Sequence, residues 1–133
     1  MKVEEISPKD LRIGNKVILY GEIVTVQEIG NHHGSAYLTV EEKFGHGYHL
    51  DQFQPIPLTE EVLLKCGFHE LYKSEFTIRY ELLNNPKIEY KWNNTFGWNL
   101  FCQGWCIENI KHLHQLQNAV LFLNGEELEV KWS

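Results

Sequence analysis

The chain has 133 residues, enough for one ordinary domain or for two very small modules sharing a core. Apolar residues make up 43% and charged residues 23%, a globular balance that excludes a disordered chain. The net charge is −6, with 12 basic residues scattered among 18 acids. That weighs against nucleic acid and anionic membranes as partners and leaves room only for a local basic patch.

The 7 Phe, 6 Tyr and 4 Trp promise a sizeable core, since each ring buries a large area. Three cysteines, Cys66, Cys102 and Cys106, are too few and too odd in number for a disulfide framework. Met1-Lys2-Val3-Glu4-Glu5 places acids where a signal peptide needs an apolar run. No stretch approaches the ~20 apolar residues of a membrane span. A reducing cytoplasm and no membrane contact are the expectation.

In chain order, Ser7-Pro8-Lys9-Asp10 and Gly14-Asn15 are turn signals. The β-branched runs from Lys16 to Tyr20 and from Glu22 to Ile29 flank Gly21 and predict a hairpin. After the loop Gly30 to Ser35, residues 36–40 predict a third strand and 47–50 a short fourth. Pro55-Ile56-Pro57 then removes two backbone donors and marks a boundary.

Thr59 is a suitable N-cap for a helix of about two turns. Glu60 and Glu61 suit its positive end, Leu58 and Leu63 form a hydrophobic staple, and Gly67 ends it. Next, Phe76, Ile78, Tyr80 and Leu82 alternate with polar residues. Ile88, Tyr90 and Trp92 do the same, as do Phe96, Trp98, Leu100 and Cys102. This predicts a three-stranded antiparallel meander with one apolar, aromatic face, extended by a further strand near Trp105-Cys106-Ile107. Leu113, Leu116, Val120 and Leu123 predict a helix lying over that face. Alternation from Leu128 to Trp132 predicts a final strand. The stripe reads as core, whereas Trp132, Trp105 and Tyr72 are candidates for exposure to a protein partner.

Three stretches resemble, in this order, a group of short uncharacterised proteins of Bacteroidetes genomes and their phages or prophages. They are Asp10-Leu11-Arg12-Ile13-Gly14-Asn15; Pro55-Ile56-Pro57-Leu58-Thr59-Glu60-Glu61 with Leu64-Lys65-Cys66-Gly67-Phe68; and His114-Gln115-Leu116-Gln117-Asn118 leading to Asn124-Gly125-Glu126-Glu127-Leu128. The resemblance spans nearly the whole chain. It implies an origin and carries no activity or functional residue. The segment from Ile13 to Ile29 also resembles the opening of an SH3-like or KOW-type barrel, a scaffold that hosts many roles.

Few constellations suggest chemistry. His32, His33, His46 and His49 could meet across adjacent loops as metal ligands, although no Cys or carboxylate partner has ligand spacing. Cys102 and Cys106 read as strand and turn residues, and Cys66 as a buried helix-end residue. Adjacent pairs such as Glu41-Glu42 point apart within a strand, and there is no nucleophile elbow or phosphate-cradling glycine loop. Lys9, Arg12, Lys16 and Lys43, with Tyr20 and Tyr37, could form a nucleic-acid surface.

The sequence therefore predicts an α+β protein. Residues 1–57 form a small SH3-like barrel or curled sheet. Residues 58–133 form a helix, a three- to four-stranded meander, a second helix and a final strand, either as a second module or continuous with the first. The expected function is non-enzymatic binding of another protein, without cofactor. Nucleic-acid binding through the N-terminal part and a histidine-based metal enzyme are the alternatives.

Overall fold

The structure, a computed structural model, describes residues 6–132, apart from the side chains of His32, Phe44 and Glu108. Strand accounts for 48% and helix for 19%, so the protein is mostly β. This corrects the α+β expectation: among the described residues, two five-stranded antiparallel sheets are accompanied by two short α-helices and two 3₁₀ turns. The strands fall into two compact units. One runs to Pro57 and takes in His112–Asn118; the other holds Leu58–Lys111 and the chain from Ala119 onward.

The first unit contains β1 (Lys16–Leu19), β2 (Glu22–His32), β3 (Ser35–Val40), β4 (Lys43–His49) and β5 (Phe53–Gln54). Their order is β4-β3-β2-β1-β5. That is one strand more than the four expected, because β5 is only two residues long and carries no readable alternation. β2 pairs with β1 from Glu22 to Thr25 and with β3 from Val26 onward. A bulge between Val26 and Glu28 marks the handover, as bulges bend a strand and increase its twist. Ile6, Val17, Leu19, Val24, Val26, Leu38, Val40 and Phe53 form the core of this unit. Burial of each large aliphatic or aromatic side chain contributes about 1.5–3 kcal/mol before chain entropy is subtracted.

The second unit opens with α1 (Glu60–Lys65). Thr59 caps it by accepting from the Val62 N–H at 3.2 Å, and Gly67 follows with φ +86°. Then come β6 (Phe68–Lys73), β7 (Thr77–Leu82), β8 (Asn85–Asn93), β9 (Gly97–Cys102) and β10 (Trp105–Glu108), in the order β10-β9-β8-β7-β6. The meander thus has five strands. β6 escapes sequence reading because a bulge between Glu70 and Tyr72 breaks its period of two.

α2 spans Leu113–Asn124. It does not belong to the meander alone, since its first half, to Asn118, is part of the first unit. The final strand expected at 128–132 is not formed. Alternation alone does not make a strand without a neighbour to pair with, and the segment is irregular. The Lys131 N–H donates to the Lys65 carbonyl at 2.9 Å.

The aromatic stripe is core only in part. Tyr80, Leu82, Ile88, Tyr90 and Leu100 are buried, while Ile78, Trp92, Trp98 and Cys102 are half-buried. Phe76 and Phe96 are exposed because both precede their strands and lie in turns. The Tyr90 and Trp98 rings stack at 4.9 Å, and the Tyr90 hydroxyl donates to the Ile110 carbonyl. Burial raises the Tyr90 phenol well above its ordinary pKa, so it remains a donor.

Candidate binding surfaces

In the first unit, the basic residues singled out from sequence have partners within the fold. Arg12 donates through Nε to Asn118 Oδ1 at 3.0 Å and through Nη1 to the Ile13 carbonyl at 2.9 Å. Lys16 Nζ donates to Thr25 Oγ1 at 2.6 Å, and that hydroxyl donates to Glu42 at 2.8 Å. Burial pushes the Glu42 carboxyl up, but the hydrogen bonds from the Thr25 N–H and hydroxyl and the nearby Lys16 charge outweigh it and hold the pKa below the usual value. Lys43 lies 2.7 Å from Glu22. Lys9 is exposed in the 3₁₀ turn Pro8–Asp10.

The two tyrosines have ring partners within the fold. Tyr20 occupies the β1–β2 turn, edge-on to Tyr48 at 6.1 Å, and its hydroxyl accepts from Gln52 Nε2. Tyr37 meets the His49 ring edge-on at 5.2 Å.

The histidines are likewise occupied with local tasks. His33 is the first residue of the β2–β3 turn, with φ 52°. His46 packs on Tyr48 at 4.8 Å. His49 Nδ1 lies 2.7 Å from Asp51 and accepts from the Asp51 N–H, capping the 3₁₀ turn Leu50–Gln52. The side chain of His32 lies outside the described residues. Among the described residues, no three His, Cys, Asp or Glu side chains could hold a common metal ion.

Sequence reading missed a polar clamp built by α2. Gln117 accepts from the Lys16 N–H at 2.8 Å and donates to the Gly14 carbonyl at 3.2 Å. Asn118 accepts from Asn15 Nδ2 at 2.8 Å and donates to the Asp10 carbonyl at 2.6 Å. Asn15 itself accepts from the Arg12 N–H at 2.6 Å. Two of the stretches that carry the sequence resemblance, 10–15 and 114–118, are therefore the two sides of one hydrogen-bonded junction. Only their polar character, buried at Asn15 and Gln117, was available as a signal.

The second unit presents a different surface. One face of its sheet carries charges that pair with one another, although the buried Arg79 Nε has no hydrogen-bond partner among the described residues. Arg79 Nη2 donates to Glu89 at 2.6 Å, Lys91 lies 3.2 Å from the same carboxylate, and His69 lies 3.0 Å from Glu81. Lys91 also sits 4.5 Å over the Phe101 ring. Beside this network lies a cleft of about 670 Å³ that includes Phe96, Phe101, Trp92 and Cys106 in its walls. That volume lies within the range of ligand-sized pockets.

The two end strands of this sheet differ in chemistry. Both have an irregular register, β6 between Glu70 and Tyr72 and β10 between Cys106 and Glu108, but β6 also carries Glu70 and Lys73, charges that discourage further pairing. β10 presents Trp105, 77% exposed, then Cys106 and Ile107. Gln103 and Gly104 both have positive φ and join β9 to β10 as a two-residue type I′ turn. In such a hairpin Cys102 and Trp105 are the hydrogen-bonded pair, so the main-chain groups of Cys106 point away from β9. An apolar edge with outward N–H and C=O groups can accept an extended chain. Cys66, by contrast, is 2% exposed, and burial pushes its thiol up to about 12. It has no nucleophilic use in that state.

No known protein family matches this chain, and no curated protein or solved structure does either. No helix among the described residues is long and apolar enough to cross a membrane.

Proposed function

We propose that this is a small non-enzymatic accessory protein of the cytoplasm that acts by binding another protein. Its phage or prophage origin is part of the proposal and is supported by the resemblance of its three sequence stretches. The observation that carries the binding role is the apolar β10 edge, where Trp105 stands 77% exposed and Ile107 42% exposed, while Cys106 of the same strand lines the Phe96–Phe101 cleft. Exposed large aromatics are the usual anchors of protein interfaces. An edge strand offers main-chain hydrogen bonds to an extended partner segment, and flanking pockets supply selectivity.

The nucleic-acid alternative receives less support, because Arg12, Lys16 and Lys43 each have a hydrogen-bond or ion-pair partner within the fold. The test is affinity capture from host lysate with the wild-type chain, Trp105→Ala and Ile107→Lys. A specific protein retained by wild type and lost from both variants supports the proposal. Truncating an anchoring aromatic costs about 2 kcal/mol or more, roughly a 30-fold loss. Equal recovery by all three proteins, or recovery of no specific protein, overturns it.

A further inference from the structure

A second surface of the same unit points to a partner of defined chemistry. Between α1, the β7–β8 turn and the chain after α2 lies an open groove of about 800 Å³. Its floor is apolar, formed by Cys66, Leu82 and Leu128, all buried. Two leucines stand at its sides without being covered: Leu64 is 54% exposed and Leu83 is 63% exposed. Leucines this exposed gain from being covered, at about 25 cal/mol for each Å² of apolar surface removed from water.

The rim decides what can cover them. Four carboxylates line it, Glu61, Glu126, Glu127 and Glu129, against the two amines of Lys65 and Lys131. Both amines are matched already. Lys65 lies 3.9 Å from Glu61 and 5.4 Å over the Trp132 ring, and Lys131 lies 3.9 Å from Glu129. The groove is therefore apolar at its base and net negative at its rim. A second copy of this chain, itself at −6, brings the wrong sign of charge.

We propose that this groove docks an amphipathic segment of a partner protein, whose leucine-type side chains cover Leu64 and Leu83 while flanking Lys or Arg residues meet the glutamate rim. Apolar contact supplies the affinity and the charges supply selectivity and a faster encounter. The groove does not include Trp105 or Ile107, so this proposal and the β10-edge reading can fail independently.

The test uses the full-length protein and a roughly 16-residue labelled peptide with leucines at helical spacing and lysines elsewhere. Controls are the same peptide with its order scrambled and a version with glutamate in place of lysine. Fluorescence anisotropy gives affinity, and amide shift mapping gives location. The expected result is binding of the leucine–lysine peptide only, weakened by salt, with shifts at Leu64, Gly67, Leu83 and Leu128. Leu83→Ser should weaken it about 10-fold or more, the double change Glu126→Gln with Glu129→Gln about 3-fold or more, and Trp105→Ala not at all.

Because Leu83 is exposed, its variant should keep the wild-type unfolding midpoint, which separates lost binding from lost folding. Equal binding of the glutamate or scrambled peptide, shifts that map elsewhere, or a Leu83→Ser protein that is folded and binds as wild type would each overturn the proposal. So would sedimentation showing that the groove is covered by a second copy of the chain.

Discussion

Gln117 and Lys16, 101 residues apart in sequence, are joined by a 2.8 Å hydrogen bond from the Lys16 N–H to the Gln117 side-chain carbonyl. The Gln117 amide returns a bond of 3.2 Å to the Gly14 carbonyl, so one buried side chain satisfies a donor and an acceptor at the start of β1. Gln117→Leu preserves much of the bulk and removes both partners. An unpaired buried polar group costs about 1–3 kcal/mol, so a loss of roughly 2–4 kcal/mol in urea unfolding is expected. Gln117→Glu keeps the acceptor and loses the donor, and should fall between wild type and Gln117→Leu. Equal stability of all three would show that the junction is not tight.

Local signals in the sequence were readable where their cause is local. Thr59, Glu60, Glu61 and Gly67 bound α1 as their capping chemistry requires. The alternation of Ile78, Tyr80 and Leu82 put β7 in place, because a pleated strand with one covered face needs it. The tasks of Gln117 and Asn118 were not readable, since their partners lie about a hundred residues upstream and nothing local selects them. The strand expected from Leu128 to Trp132 failed for the opposite reason: its pattern is local, while pairing depends on a neighbour it does not have. Of the surface residues, Trp105 and Tyr72 were identifiable as unneeded by the core. Leu64 and Leu83 were not, because a leucine in a helix or after a strand reads as core until the cover is seen to be missing.

His114 provides a pH dependence with a defined sign. It is buried, its Nδ1 has no hydrogen-bond partner, and its ring stacks on His112 at 5.9 Å. Burial, with the adjacent His112, lowers its pKa to about 4 from an ordinary 6.5, against an opposing pull from Asp10. The unfolded chain therefore binds the proton more readily between those values. The contribution is complete above about pH 6.5 and is lost as pH falls toward 4. The loss should reach roughly 1–2 kcal/mol by pH 5, above the range where ordinary carboxylates titrate. Thermal unfolding of wild type and His114→Leu from pH 7 to 5 checks this: the variant should lose the slope, and an unchanged slope rejects the assignment.

Three hairpins share one turn geometry. Tyr20-Gly21, His33-Gly34 and Gln103-Gly104 each have positive φ at both positions. In all three the first residue carries a side chain in a conformation that suits Asn or Gly better. Gln103 is exposed, and its main-chain N–H, which donates to the Lys87 carbonyl at 2.9 Å, is kept by asparagine. Gln103→Asn should stabilise the protein by a few tenths to about 1 kcal/mol. Gly104→Ala should destabilise it by about 1 kcal/mol or more, although a Cβ there meets no atom within 4 Å. The cost is thus purely one of backbone conformation. Denaturant midpoints of the two variants should move in opposite directions, and movement in the same direction would contradict the turn assignment.

The three cysteines should separate cleanly by reactivity. Cys106 is exposed on β10, Cys102 is half-buried on β9, and Cys66 is sealed at the end of α1. Thiol attack requires both access and the thiolate, and burial holds the Cys66 thiol near 12. A colorimetric thiol reagent at pH 8 should therefore modify Cys106 rapidly and Cys102 more slowly. Cys66 should react only once denaturant is added. Cys106→Ser should abolish the fast phase and leave the unfolding midpoint within about 0.5 kcal/mol of wild type, as expected for an exposed site. The same labelling has a second use, because Cys106 sits on the edge proposed to receive a partner. Protection of its fast phase by a captured partner protein, without protection in the Trp105→Ala variant, would place that partner on β10. Full reactivity in the complex would place it elsewhere.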